Sequence, residues 1–254
     1  MYFDLIVEYL HLNSILPFSV LLLIVSFLYA SVGHGGASGY LALMALFSFP
    51  VFLMKPTALL LNIFVSAISF LFFKRSNHFR WSLFYPFALT SIPMAFLGGY
   101  MSIEATLYKQ ILGVFLVIAV LRMLNIFGSG DVESKSINLI LALIIGSIIG
   151  LFSGMIGIGG GIILSPVIIL FGWGNMKEAA AVSALFIFVN SLAGITGYAV
   201  QGGELPLQSW YFAPIVIIGG TIGAVYGSTK FEMKTLKYML SGVLILACIK
   251  LFLV

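Results

Sequence analysis

The sequence predicts an all-α polytopic membrane protein of two homologous four-span repeats in inverted orientation. Each repeat opens with a glycine-broken helical hairpin, giving eight to ten membrane segments. Three observations carry this. Of 254 residues, 61% are hydrophobic and 8% charged, with a mean hydropathy of +1.18, outside the range of soluble domains. The apolar runs 16–49 and 137–174 are too long for single spans. At about 1.5 Å per residue the first would reach roughly 50 Å, against a hydrocarbon core of about 30 Å. Finally, motifs in the first half recur in order in the second, the mark of a duplicated unit.

The remaining apolar runs are 56–73, 81–101, 107–127, 179–200, 210–228 and 236–254. Each has the length of one crossing. The two long runs are interrupted at Gly33-His34-Gly35-Gly36 and at Gly157-Ile158-Gly159-Gly160-Gly161. These breaks leave arms 16–32 and 37–49, then 137–156 and 162–174. The second arms are too short to cross alone and read as half-helices starting at Ala37 and Ile162.

The repeat is carried by several pairs. Ile63-Phe64-Val65 returns as Ile187-Phe188-Val189 at the spacing of the glycine motifs, and Phe84-Tyr85-Pro86 returns as Phe212-Ala213-Pro214. Thr106-Leu107 with Gly113-Val114 matches Thr235-Leu236 with Gly242-Val243, and a short insertion at 201–204 absorbs the drift. The division is a first repeat over 1–127, a linker over 128–136 holding Gly128, Gly130, Asp131, Glu133 and Lys135, and a second repeat over 137–254.

Loop charge sets the orientation. Lys74, Arg75 and Arg80 follow the second run, whereas the next loop holds Glu104. In the second half 201–208 carries only Glu204, and the following loop has Lys230, Glu232 and Lys234. Under the positive-inside rule the halves face opposite ways, provided each long run enters and leaves on one side. Eight simple spans in parallel repeats is the alternative. Trp81, Tyr85, Trp173, Trp210 and Tyr211 lie at run edges, where amphipathic rings suit the headgroup layer. Asn175 with Glu178 is a capping-box pattern that opens the next helix.

The net charge of +4 does not point to a nucleic acid, because the bases sit at the edges of apolar runs. Cys248 is the only cysteine, and His11, His34 and His78 lack ligand spacing. No disulfide framework, metal or cofactor is therefore expected. The N-terminus has Asp4 and Glu8 and no basic region of a cleaved signal, so the mature chain is expected to begin near Met1.

Within 16–73 the only formal charge is Lys55, and 137–176 has none. A ligand at membrane depth would meet backbone N–H groups, the hydroxyls of Ser31, Ser38, Ser153 and Ser165, the amides of Asn62 and Asn190, and the imidazole of His34. A helix that starts inside the membrane leaves its first N–H groups unpaired and carries partial positive charge there. Two such ends converging near the midplane make an anion site without a cation. The candidate binding residues are Gly33, His34, Gly35, Gly36, Ser38 and Asn62 in the first half, and Gly157, Gly159, Gly160, Gly161, Ser165 and Asn190 in the second. Close helix packing is the competing account of the glycines. His34 reads either as a proton relay or as a neutral hydrogen-bonding group. Arg122, Lys109 and Lys250 sit near run ends, where they can snorkel.

At Gly157-Ile158-Gly159-Gly160-Gly161, the following Ser165-Pro166, and the stretch Ser183-Ala184-Leu185-Phe186-Ile187-Phe188-Val189-Asn190-Ser191, the chain resembles the TauE/SafE family of sulfite and organosulfur-anion exporters. The first repeat departs from the pattern, with Ala37 where a third glycine would stand and Ala42 opposite Pro166. The resemblance implies a multi-pass secondary transporter of a small sulfur-containing anion, sulfite or a sulfonate, in a prokaryotic cytoplasmic membrane. Proton coupling, if used, would run through His34 or through a proton carried on the anion. A passive anion channel and a non-transport assembly factor are the alternatives. An enzyme is not expected, since no nucleophile, acid or metal cluster is visible.

Overall fold

The structure, a computed structural model, describes residues 12–123 and 135–229. The described residues form nine α-helices: α1 (Leu12–Ser31), α2 (Ala37–Leu46), α3 (Val51–Arg75), α4 (Trp81–Tyr100), α5 (Ala105–Met123), α6 (Leu139–Ile156), α7 (Gly161–Leu170), α8 (Met176–Val200) and α9 (Leu207–Thr229). No strand occurs among them. Most of the linker, the run 236–254, the charges at 230–234, and Asp4, Glu8, His11, Cys248 and Lys250 lie outside the described residues, as does the Arg122 side chain.

Five helices, α3, α4, α6, α8 and α9, have stretches long and apolar enough to cross a membrane, and they carry large apolar side chains outward. Leu16 is 71% exposed and Ile140 equally so. Such residues are at home only against lipid, and the chain is a multi-pass membrane protein.

One expected helix start moves outward. α3 begins at Val51, ahead of Pro56, because Lys55 does not end the helix. Its ammonium donates to the carbonyls of Gly98 (3.3 Å), Gly99 (2.8 Å) and Met101 (3.3 Å), so the charge is buried with partners. α8 begins at Met176 through the anticipated capping box. The Asn175 side chain accepts from Lys177 and Glu178 N–H, and Glu178 Oε2 accepts from Asn175 N–H at 2.9 Å. Trp173 departs from expectation. It is 3% exposed, stacked on Phe171 at 4.7 Å and tilted against Phe87 at 5.8 Å, so it is core and not an interfacial anchor. Trp81, Tyr85, Trp210 and Tyr211 are exposed as an interfacial ring should be.

Equivalent helices of the two halves pack reciprocally. The glycines of α6 sit on the backbone of α4, Gly146 by Phe87, Gly150 by Ser91 and Gly154 by Ala95. Numbers rise together, so the pair is parallel. On the other side α9 meets α1 the same way, Gly219 by Leu23, Gly223 by Phe27 and Gly227 by Ser31. Small residues at every fourth position let these backbones touch, which in lipid replaces the hydrophobic effect as the source of association. At the centre α3 and α8 run antiparallel. Lys55 lies 5.6 Å from the Tyr198 ring, Gly194 lies beside Leu59, and Asn62 reaches Ser191.

Candidate functional site

Both glycine motifs end a helix and start another inside the protein. Gly36 and Gly160 are the N-cap residues of α2 and α7, with φ of 101° and 78°. A side chain is strained in that left-handed region, which accounts for glycine at the same place in both halves. α7 starts at Gly161, one residue before the expected Ile162. Residues 33–36 and 157–161 are all buried, so in this conformation neither break is open to the surface.

The breaks meet across α3 and α8. A Cβ on Gly35 would lie 2.4 Å from Asn62 Oδ1 and 2.8 Å from Ile187 Cγ2, and one on Gly159 would lie 2.5 Å from Asn62 Nδ2 and 2.7 Å from the same methyl. The Asn62 amide and the Ile187 side chain thus fill the space between the two glycines. The flanking positions are reciprocal as well. Gly33 abuts Ala180 at the start of α8, and Gly157 abuts the Lys55 backbone at the start of α3.

Asn62 is fully buried and bonds both halves. Its Oδ1 accepts from the Ala37 N–H at 3.0 Å, while its amide group donates to Ile158 O at 3.2 Å and to Ser191 Oγ at 3.4 Å. An expected open donor at the head of α2 is therefore capped by an amide oxygen, a partial negative charge placed where helix N-termini favour anions.

His34 also joins the halves. Its Nδ1 lies 2.9 Å from Val32 O, an acceptor only, so this nitrogen holds the proton. Nε2 faces Ser165 Oγ at 3.2 Å, and Ser165 is in turn 2.7 Å from Ser183 Oγ. In the first half Ser38 Oγ meets Tyr29 Oη at 2.7 Å, and Tyr40 Oη donates to Gly35 O at 2.9 Å. Asn190 stays apart from this network. Its amide donates to Phe186 O at 2.9 Å within α8, and its Oδ1 has no hydrogen-bond partner among the described residues.

Three residues at the breaks were not singled out from sequence. Ser183, Ile187 and Ser191 are spaced four apart and form one stripe of α8 that faces the motifs; that periodicity was the available signal. Ser153 is also adjacent. It is 2% exposed, its Oγ has no hydrogen-bond partner among the described residues, and its Cβ lies 3.5 Å from a Cβ position on Gly160. A buried hydroxyl without a partner beside a backbone break is an unspent donor.

Lys55 is packed by its backbone against Gly157, and its side chain lines a cavity of about 190 Å³ with Met155, Tyr108 and Tyr198. Arg80 and Glu178 form an ion pair at 3.3 Å between the heads of α4 and α8, away from the breaks.

Comparison with known proteins agrees with this architecture. The family profile described as "Sulfite exporter TauE/SafE" matches residues 18–251. "Probable membrane transporter protein y4hK" of Sinorhizobium fredii is 38% identical over 234 residues, covering 90% of this chain and 94% of that protein. "Probable membrane transporter protein MJ0441" of Methanocaldococcus jannaschii is 25% identical over 200 residues, 74% of each chain. No solved structure matches the chain.

Proposed function

Since the chain belongs to the TauE/SafE family of membrane transporters, we propose that it is a secondary transporter of a small sulfur-containing anion, sulfite or an organosulfonate. The anion is held between the two glycine breaks by the heads of α2 and α7, in a prokaryotic cytoplasmic membrane. The observation that carries this reading is the Asn62 amide, which bonds Ala37 N–H and Ile158 O at once and sits between Gly35 and Gly159. Its oxygen stands where an anion's oxygen would stand.

Binding is then an exchange. An incoming oxyanion takes the Ala37 N–H from Asn62 Oδ1, and the freed amide turns its N–H groups toward the anion. The hydroxyls of Ser153 and Ser165 are the side-chain donors at the second break. Backbone and hydroxyl donors without a formal charge hold an anion weakly enough to release it. His34 is the candidate proton relay, through Nε2, which faces Ser165. Bare, it accepts the Ser165 proton; protonated, it donates to Ser165 and adds a positive charge beside the break.

The two halves are read as inverted repeats that rock about this site. Antiparallel α3 and α8, equivalent helices at the centre, support that reading, because a two-fold axis relating antiparallel helices lies in the membrane plane. Burial of both breaks favours a carrier that occludes its ligand over a standing pore. The test is sulfite flux into liposomes holding the purified protein. The expected result is saturable flux with counterflow that Gly159→Leu abolishes; absence of flux by the parent, or a Gly159→Leu variant that behaves like it, overturns the reading.

A further inference from the structure

We propose that the cavity beside Lys55 is a second, outer anion subsite, distinct from the glycine breaks, that takes a small oxyanion or sulfonate on one face of the protein. It rests on the transporter reading above and adds a docking step to it.

The cavity, about 190 Å³, opens among the start of α3, the end of α4, the 101–104 turn and the end of α8. That is several times the space one water needs. Its lining includes Lys55, Ser102, Tyr198 and Gln201 and contains one cation and no carboxylate. Glu104 and Glu204 are exposed and outside the lining, although the Glu204 carboxylate is close enough to act on the Tyr198 hydroxyl. A wall with one ammonium, three hydroxyls and a carboxamide favours negative charge.

Lys55 is 8% exposed, and among the described residues no carboxylate pairs with it. Its three contacts are unequal. The bond to Gly99 O is 2.8 Å, while those to Gly98 O and Met101 O are 3.3 Å. The short bond anchors the ammonium, and the two long ones can be redirected to an anion in the cavity at small cost.

The position links to the breaks. Gly157 rests on the Lys55 backbone, and Tyr108, on the cavity wall, donates its hydroxyl to Ile156 O at 2.8 Å, one residue ahead of that glycine. The repeat places Ala179 where the second half would need an equivalent of Lys55.

The experiment uses the full chain in liposomes, with Ser102→Cys on a Cys248→Ser background and the neutral reagent N-ethylmaleimide. Methanesulfonate and sulfate, which do not react with it, are the probes. Either probe is expected to slow labelling several-fold, and Lys55→Gln is expected to remove that protection. If Lys55→Gln fails to fold, Gln201→Glu, which places a negative charge in the lining and leaves the lysine bonds intact, is expected to do the same. Gly159→Leu is expected to keep the protection while losing flux, which separates the subsite from the breaks. No protection by either probe, protection that survives the charge variant that folds, or protection lost in Gly159→Leu overturns the proposal. A parent that moves no sulfite counts against the transport reading, and the labelling comparison still decides the subsite.

Discussion

Asn62 on α3 caps the first residue of the half-helix α2, with its Oδ1 3.0 Å from Ala37 N, and the same amide donates to Ile158 in the other break. Truncating it leaves a buried N–H and a buried C=O without partners. Asn62→Ala is therefore expected to lower stability by about 1–3 kcal/mol per orphaned group and to abolish sulfite flux. Thermal unfolding in detergent and liposome uptake check the two parts. Parent-like uptake would show that the amide does not govern the breaks.

Ser153 gives the complementary case. Its hydroxyl is buried without a hydrogen-bond partner among the described residues, so removing it breaks no hydrogen bond there. Ser153→Ala is expected to leave the unfolding temperature unchanged or raised while sulfite uptake falls several-fold. If both are unchanged, the hydroxyl is not part of the binding site.

His34 is expected to set the pH response. With Nδ1 committed to Val32 O, protonation occurs at Nε2 and reverses the bond to Ser165. In His34→Gln the dependence of initial uptake on pH is expected to flatten. Uptake rates across a pH series, with internal and external pH varied together, read this. A variant whose profile follows the parent's assigns the titration to the anion itself.

Inversion is tested by accessibility. Arg80 and Glu178 pair at one end of α3 and α8, whereas Gly203 lies beyond the other end of α8, near Tyr198. Asn77→Cys and Gly203→Cys, each on a Cys248→Ser background, are expected to react with an impermeant maleimide from opposite sides of the membrane. Labelling from the same side contradicts inverted repeats.

Much of this was legible in the sequence, for physical reasons. Run length against membrane thickness placed both helix breaks, and the Asn175 and Glu178 pattern marked the head of α8. Lys55 was misleading because a charge in an apolar run reads as an edge, and only the fold shows that the carbonyls of Gly98, Gly99 and Met101 receive it. Trp173 was misread likewise, since its position at a run edge says nothing about the Phe87 and Phe171 rings that cover it. Asn62 and Asn190 lie one helical turn apart in the repeat, a difference visible in the sequence. That turn puts Asn62 between the glycines and leaves Asn190 bonded within α8.

The central claim is that the paired breaks hold the anion, and one comparison of two glycines tests it most directly. Gly159 and Gly202 both have positive φ, at 78° and 94°, so alanine strains the backbone at either by about 1 kcal/mol. They differ in surroundings. A Cβ at Gly159 collides with Asn62 and Ile187, whereas one at Gly202 meets nothing within 4 Å. Sulfite counterflow in liposomes is predicted to persist in Gly202→Ala and to fall at least roughly tenfold in Gly159→Ala, a loss of about 1.4 kcal/mol or more. Equal counterflow in the two variants would contradict the account.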